Sequence, residues 1–181
     1  MTDRTDLAEG ATRERKVSAM DVSGYHHSDS ITIDCAPADA YAVVSDVTRI
    51  GELSPVCRSA SWKDPAQAGT AGAWFTGHNE IGEITWDTHC EVVTAEPGRE
   101  FTFVNHGRNG DMELVRWGFT FGPEGDGTVA TESWQVLPGY PDFVLAGDPN
   151  ADVAARIDGM AQMARDGIKD TLANLKRAAE S

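Results

Sequence analysis

The chain is poor in cysteine, in positive charge and in long apolar runs, and each shortage excludes something. Cys35, Cys57 and Cys90 are the only 3 cysteines in 181 residues. An odd number without CxxC spacing gives neither a disulfide framework nor a zinc site, and a reducing compartment fits best. Fifteen Lys and Arg face twenty-nine Asp and Glu, a formal charge of -14. That field repels phosphates and anionic headgroups over about a Debye length, which sets aside nucleic acid and anionic lipid surfaces as direct partners. The excess acid reads as a solubility device, with a cationic partner protein as the alternative. No apolar run approaches the roughly 18 residues of a membrane span, and the opening MTDRTDLAEG lacks the basic-then-apolar order of a signal peptide. The expected location is the cytoplasm, without membrane insertion; monomer and homodimer both stay open.

A length of 181 residues suits one domain with a sizeable core. Residues 1–27 mix acids, bases and small side chains, with Leu7, Val17 and Met20 too scattered to make an apolar face. This stretch is expected to be a disordered or weakly ordered arm ahead of a domain spanning 28–181. The adjacent His26 and His27 do not by themselves make a metal site.

From Ser28 the pattern turns regular. Ile31, Ile33 and Cys35 alternate with polar residues, as a half-buried strand does. Pro37 closes that strand and sits in the first turn of a short helix carrying Ala40, Tyr41, Val43, Val44 and Val47. A second helical turn, TRIGELSP, stops at Pro55, because proline disfavours helix in the residue before it. Six further strands are expected near 56–63, 72–80, 83–94, 99–106, 111–122 and 127–137, rich in Trp, Phe, Thr and Val. The linkers QAGTAG, AEPGRE, GRNGD and GPEGDGT supply glycines for tight turns, so neighbours pair antiparallel. PGYPDFVLAGDPN reads as a loop. A last helix begins near Asn150 or Asp152. Its apolar residues Val153, Ile157, Met160, Ala164, Ile168, Leu172 and Leu175 recur at spacings of three and four, so one face is buried.

The order strand, two short helices, six strands, long helix is an α+β arrangement. Together with the opening SITIDCAPADAYAVVSDVTRIGELSP and the late strand GTVATESWQV, it resembles the START-like, helix-grip superfamily. That superfamily (SRPBCC) includes pollen allergens and the bacterial polyketide cyclase/dehydratase and lipid-transport family. The resemblance spans about residues 28–178. It implies a seven-stranded antiparallel sheet wrapped around the C-terminal helix, with a cavity between them, and fixes a container without naming a substrate.

Strands expose alternate residues on alternate faces, so each offers the cavity one set. The inward sets are expected to be Trp74, Thr76 and His78; Trp86 and Thr88, together with Ile84, Cys90 and Val92; Phe101 and Phe103, with Asn105; and Trp117 and Phe119, with Phe121. Trp134 shares a face with Glu132, and the sequence leaves open whether that face points inward. Ile157, Met160, Ala164 and Ile168 should form the helical wall, with Met163 as a pliable neighbour and Tyr140 and Phe143 as a lid. The bland alternative is that these aromatic residues fill a solid core.

Catalysis would need a titratable group inside, and His78 and Glu132 are the candidates, with Arg116, His89 and Asp87 behind them. In-phase with Trp74, His78 could remove a proton alpha to a carbonyl; otherwise it is an ordinary strand histidine. Glu132 is either a buried acid or a surface carboxylate paired with Arg116. No GxSxG, HxxxH or phosphate-cradling Gly loop appears, so no cofactor or metal is implied. Three functions follow as expectations: a carrier or sensor of an apolar lipid, fatty acid or polyketide-like molecule; a polyketide aromatase/cyclase or dehydratase; or a protein-interaction module with a filled core.

Overall fold

The computed structural model describes residues 20–181. Of the expected N-terminal arm, residues 1–19 lie outside the described part. The chain runs β1 (His26–Ile33), α1 (Pro37–Ser45), a 3-10 turn (Val47–Arg49), α2 (Ile50–Leu53), β2 (Cys57–Trp62), β3 (Trp74–Ile81), β4 (Ile84–Glu96), β5 (Glu100–His106), β6 (Glu113–Glu124), β7 (Gly127–Val136), α3 (Tyr140–Gly147) and α4 (Val153–Ala179). All seven strands form one antiparallel sheet in the order β1-β7-β6-β5-β4-β3-β2. The first strand therefore closes against the last, and the inner face of the sheet wraps around α4.

Local chemistry accounts for the elements. Pro37 opens α1, whose buried Ala40, Tyr41, Val43 and Val44 face the sheet; Tyr41 meets Phe101 and Phe121 edge-on at 6.2 and 6.1 Å. Ser54, ahead of Pro55, is extended and ends α2. Asp152 caps α4 by accepting a hydrogen bond from the Ala155 N–H at 3.0 Å, and Lys176 and Arg177 lie in its last turn. Each of the four glycine-bearing linkers holds a glycine at positive φ: Gly69 and Gly72, Gly98, Gly110, and Gly125. Gly82, in the two-residue turn between β3 and β4, is another.

Strands β2–β7 lie within two residues of their expected bounds, and two other segments differ from expectation. β1 starts at His26, because His26 and His27 pair with Gln135 and Trp134, and ladder pairing ends at Ile33 rather than reaching Cys35. Residues 140–147 are helical instead of looped: Pro141 stands in the first turn, where its missing N–H costs nothing, and Val144 is buried beneath.

Candidate functional site

Between α4 and the inner face of the sheet lies a cavity of about 230 Å³, several times the roughly 30 Å³ share of a water molecule. A solid core would leave no such space. Its walls come from α1, α2, the Ser54–Cys57 segment, β3–β7 and α4. Ile81, Trp86 and Met163 line it while keeping 38–48% exposure, so its mouth opens between the β3–β4 hairpin tip and the N-terminal half of α4.

The inner face follows from strand register. Ile81 pairs with Ile84 across the Gly82–Glu83 turn, which sets Asn79 opposite Trp86, Gly77 opposite Thr88 and Phe75 opposite Cys90. Paired residues share a face, so β3 turns Phe75, Gly77 and Asn79 inward. Trp74, Thr76 and His78 point outward, which corrects the sequence expectation for all three. Phe75 wins the inner position by packing edge-on against Trp62 and Phe103, at 5.6 and 5.2 Å. Gly77 has a role there: a Cβ would come within 2.9 Å of Thr88 Oγ1, so its bareness keeps the wall thin.

β4, β5 and β6 contribute Trp86, Thr88 and Cys90; Phe101, Phe103 and Asn105; and Val115, Trp117 and Phe119, all lining the cavity. On β7 the face that was left open resolves inward. Trp134 stands opposite Trp117 and Glu132 opposite Phe119, and both line the cavity. Arg116 pairs instead with Gln135 on the other face, so it forms no surface pair with Glu132. Of the α4 residues, Met160, Met163, Ala164, Gly167 and Thr171 face the space, whereas Ile157 and Ile168 are fully buried core outside it. Tyr140 and Phe143 sit on α3, 6.4 Å apart, away from the lining, so neither is its lid. Lining residues that the sequence did not single out are those of the 44–57 segment, Phe75, Gly77, Asn79 and Ile81 on β3, Val115 on β6, and Gly167 and Thr171 on α4.

The polar groups inside divide into satisfied and unsatisfied. Asn79 Nδ2 donates to the Gly77 and Trp86 carbonyls and to Thr88 Oγ1, each at 3.3 Å. Cys90 Sγ donates to Asn105 Oδ1 at 3.0 Å, and burial pushes its thiol up to about 12, leaving it inert as a nucleophile. Glu132 differs. It is 4% exposed, its Oε2 has no partner, and burial alone holds its carboxyl well above the usual carboxylate range. The Trp134 indole N–H, two residues along the same face, is likewise buried and unpartnered.

On the outer face His78 Nδ1 and Asp87 Oδ1 lie 2.8 Å apart with about half of each side chain in water. His89 Nδ1 is 3.5 Å from Thr76 Oγ1. Trp74 lies under Lys63, whose Nζ is 4.8 Å from the ring centroid, beside an open depression that also includes His89 and Arg108. No three His, Cys, Asp or Glu side chains among the described residues cluster as a metal site, and no described helix is long and apolar enough to cross a membrane.

Residues 26–180 match the model of the polyketide cyclase/dehydrase and lipid transport family. The chain belongs to this family. The polyketide-cyclase-like protein Cgl2372 from Corynebacterium glutamicum, solved by NMR, is 36% identical over 86% of this chain and 91% of its own, with a TM-score of 0.61. Two di-domain ARO/CYC proteins share the fold of this family member at lower identity. BexL, from the BE-7585A biosynthetic pathway, is 19% identical, covers 98% of this chain and 57% of its own, and has a TM-score of 0.68. StfQ, from the steffimycin pathway, is 15% identical over 99% and 62%, with a TM-score of 0.62. No curated protein matches the chain.

Proposed function

We propose that this protein binds an apolar small molecule, of the lipid, fatty acid or polyketide-like class, in the cavity beneath α4. The observation that carries the reading is the cavity itself: aromatic and aliphatic walls, an open apolar mouth and a few polar groups at fixed positions. A filled-core interaction module would have no use for such a space.

A cyclase or dehydratase is the second reading, favoured by the buried acid Glu132 and by the family. Proton abstraction alpha to a carbonyl needs an ionised base near neutral pH. Among the described residues, Glu132, Cys57 and Cys90 are the titratable side chains lining the cavity, and burial raises all three, which disfavours their basic forms. Binding therefore ranks above catalysis. His78, the other catalytic candidate, has its side chain outside.

The test is binding of the neutral fluorescent probe N-phenyl-1-naphthylamine to the full chain, compared with Ala164→Phe. Ala164 is 4% exposed and lines the cavity, so a phenyl group there fills it. Saturable binding by the wild type and loss of at least about tenfold in the variant are expected. Equal binding by a folded variant would refute the cavity as the site.

A further inference from the structure

Most polar side chains lining the cavity have partners, but Glu132 Oε2 and Trp134 Nε1 do not. Native proteins rarely leave such groups unpaired when buried, because each costs its full desolvation. Alternate residues on a strand project to one face about 6–7 Å apart, so these two address the same end of the cavity. Opposite them across β6 stand Phe119 and Trp117, and neither is a hydrogen-bond partner of Glu132 Oε2 or Trp134 Nε1. On β1, Asp29 lies across from Glu132 and His27 from Trp134; Asp29 Oδ1 is engaged by the Ser30 N–H at 2.8 Å, and His27, outside the cavity lining, has its Nε2 buried without a partner. From α4 the lining residues are uncharged, and among the described residues no Lys or Arg lines the cavity.

We propose that Glu132 and Trp134 form the recognition end of the cavity: two unpaired donors, the carboxylic O–H and the indole N–H, that receive a carbonyl oxygen carried by an otherwise apolar ligand. A carboxyl group supplies that donor only while protonated, and burial, with no Lys or Arg among the described lining residues, favours that form. A carbonyl placed between the two donors gives each the hydrogen bond it lacks, while the ligand body buries apolar surface. The ligand class is thus a neutral apolar ketone, ester or protonated acid rather than an ammonium. This inference rests on the binding function proposed above.

Fluorene and 9-fluorenone share a three-ring skeleton and differ by one carbonyl, so their competition against N-phenyl-1-naphthylamine isolates the pair. The wild type is expected to prefer 9-fluorenone about tenfold. Glu132→Leu should bring that preference close to one. Glu132→Gln, whose amide still donates, should keep most of it, and Trp134→Phe part of it. The wild-type preference should persist above pH 4.5 and fall when the acid ionises, whereas Glu132→Gln stays flat. Equal binding of the two probes by the wild type, or a preference that survives Glu132→Leu, overturns the assignment. So does tighter binding of 2-naphthylmethylammonium than of 9-fluorenone, lost in Glu132→Gln, which would make Glu132 a counter-ion. If N-phenyl-1-naphthylamine itself fails to bind the wild type, the binding function falls, and the assignment with it; the fluorene pair judges the assignment alone.

Discussion

On the outer face of the sheet, His78 and Asp87 meet at 2.8 Å with side chains 52% and 57% exposed; on the inner face, Glu132 is 4% exposed and its Oε2 meets nothing. The outer pair is fully dressed and chemically ordinary, because water screens it and would solvate either partner alone. The Oε2 of the inner carboxyl has no partner, and no Lys or Arg stands among the described residues lining its cavity, so burial raises it. Carboxylates at the helix ends move the opposite way: Arg49 beside Glu52, and Lys176 beside Glu180, lower those acids. One residue type therefore carries different chemistry in the cavity and at the surface, and the cavity is where a perturbed group points to function.

Mutations can break or sharpen this contrast. The largest effect should come from the core that holds the cavity open. Ile168, fully buried on α4 but outside the lining, should cost about 2–5 kcal/mol on Ile168→Ala. Urea unfolding reads that loss, and a cost under about 1 kcal/mol would mean the helix is seated differently. Glu132→Leu should do the reverse and raise stability by about 1–3 kcal/mol, because it removes an unpaired buried polar group. A destabilised variant would count against an unpaired Glu132.

A smaller effect is expected from pH. Folded Glu132 holds its proton above the ordinary value of 4.5, where the unfolded chain releases it. Its contribution is therefore complete below 4.5 and is lost as pH rises toward the folded value, by at most about 1.4 kcal/mol per pH unit. Wild-type stability should fall relative to Glu132→Gln over that range, and parallel profiles would contradict the raised acid. Smallest of all, His78→Ala should change stability by no more than about 0.5 kcal/mol and leave N-phenyl-1-naphthylamine binding unaltered. A loss of binding would return His78 to the site.

Much of the fold was legible in the residues. Pro37, Pro55 and the linker glycines punctuate the chain, and the three-and-four spacing of α4 survives as its buried Ile157, Ala164, Ile168, Leu172 and Leu175. Of the inward sets of β4, β5 and β6, Trp86, Thr88, Cys90, Phe101, Phe103, Asn105, Trp117 and Phe119 line the cavity, whereas Ile84 is exposed at the hairpin tip and Val92 and Phe121 are core beyond it. β3 was harder, since Trp74 and Phe75 place an aromatic residue on each face and alternation cannot choose between them. The signal lay one strand away: across a two-residue turn, even-numbered inward residues of β4 pair with odd-numbered residues of β3. The Gly125–Asp126 turn likewise carries the inward Trp117 and Phe119 onto Trp134 and Glu132. Helix α3 stayed hidden because its proline and glycines carry the composition of a loop.

Sequence alone determined the order of elements, the antiparallel pairing of close neighbours and the buried stripe of α4, because these depend on propensity and periodicity along one stretch of chain. Only the tertiary structure decided that a space remains between sheet and helix, that Met160 and Ala164 face it while Ile157 and Ile168 do not, and that Glu132 is left without a partner. Burial and pairing are properties of what surrounds a side chain, and the surroundings of Glu132 come from β1, β6 and α4, which meet only when the sheet has closed around the helix.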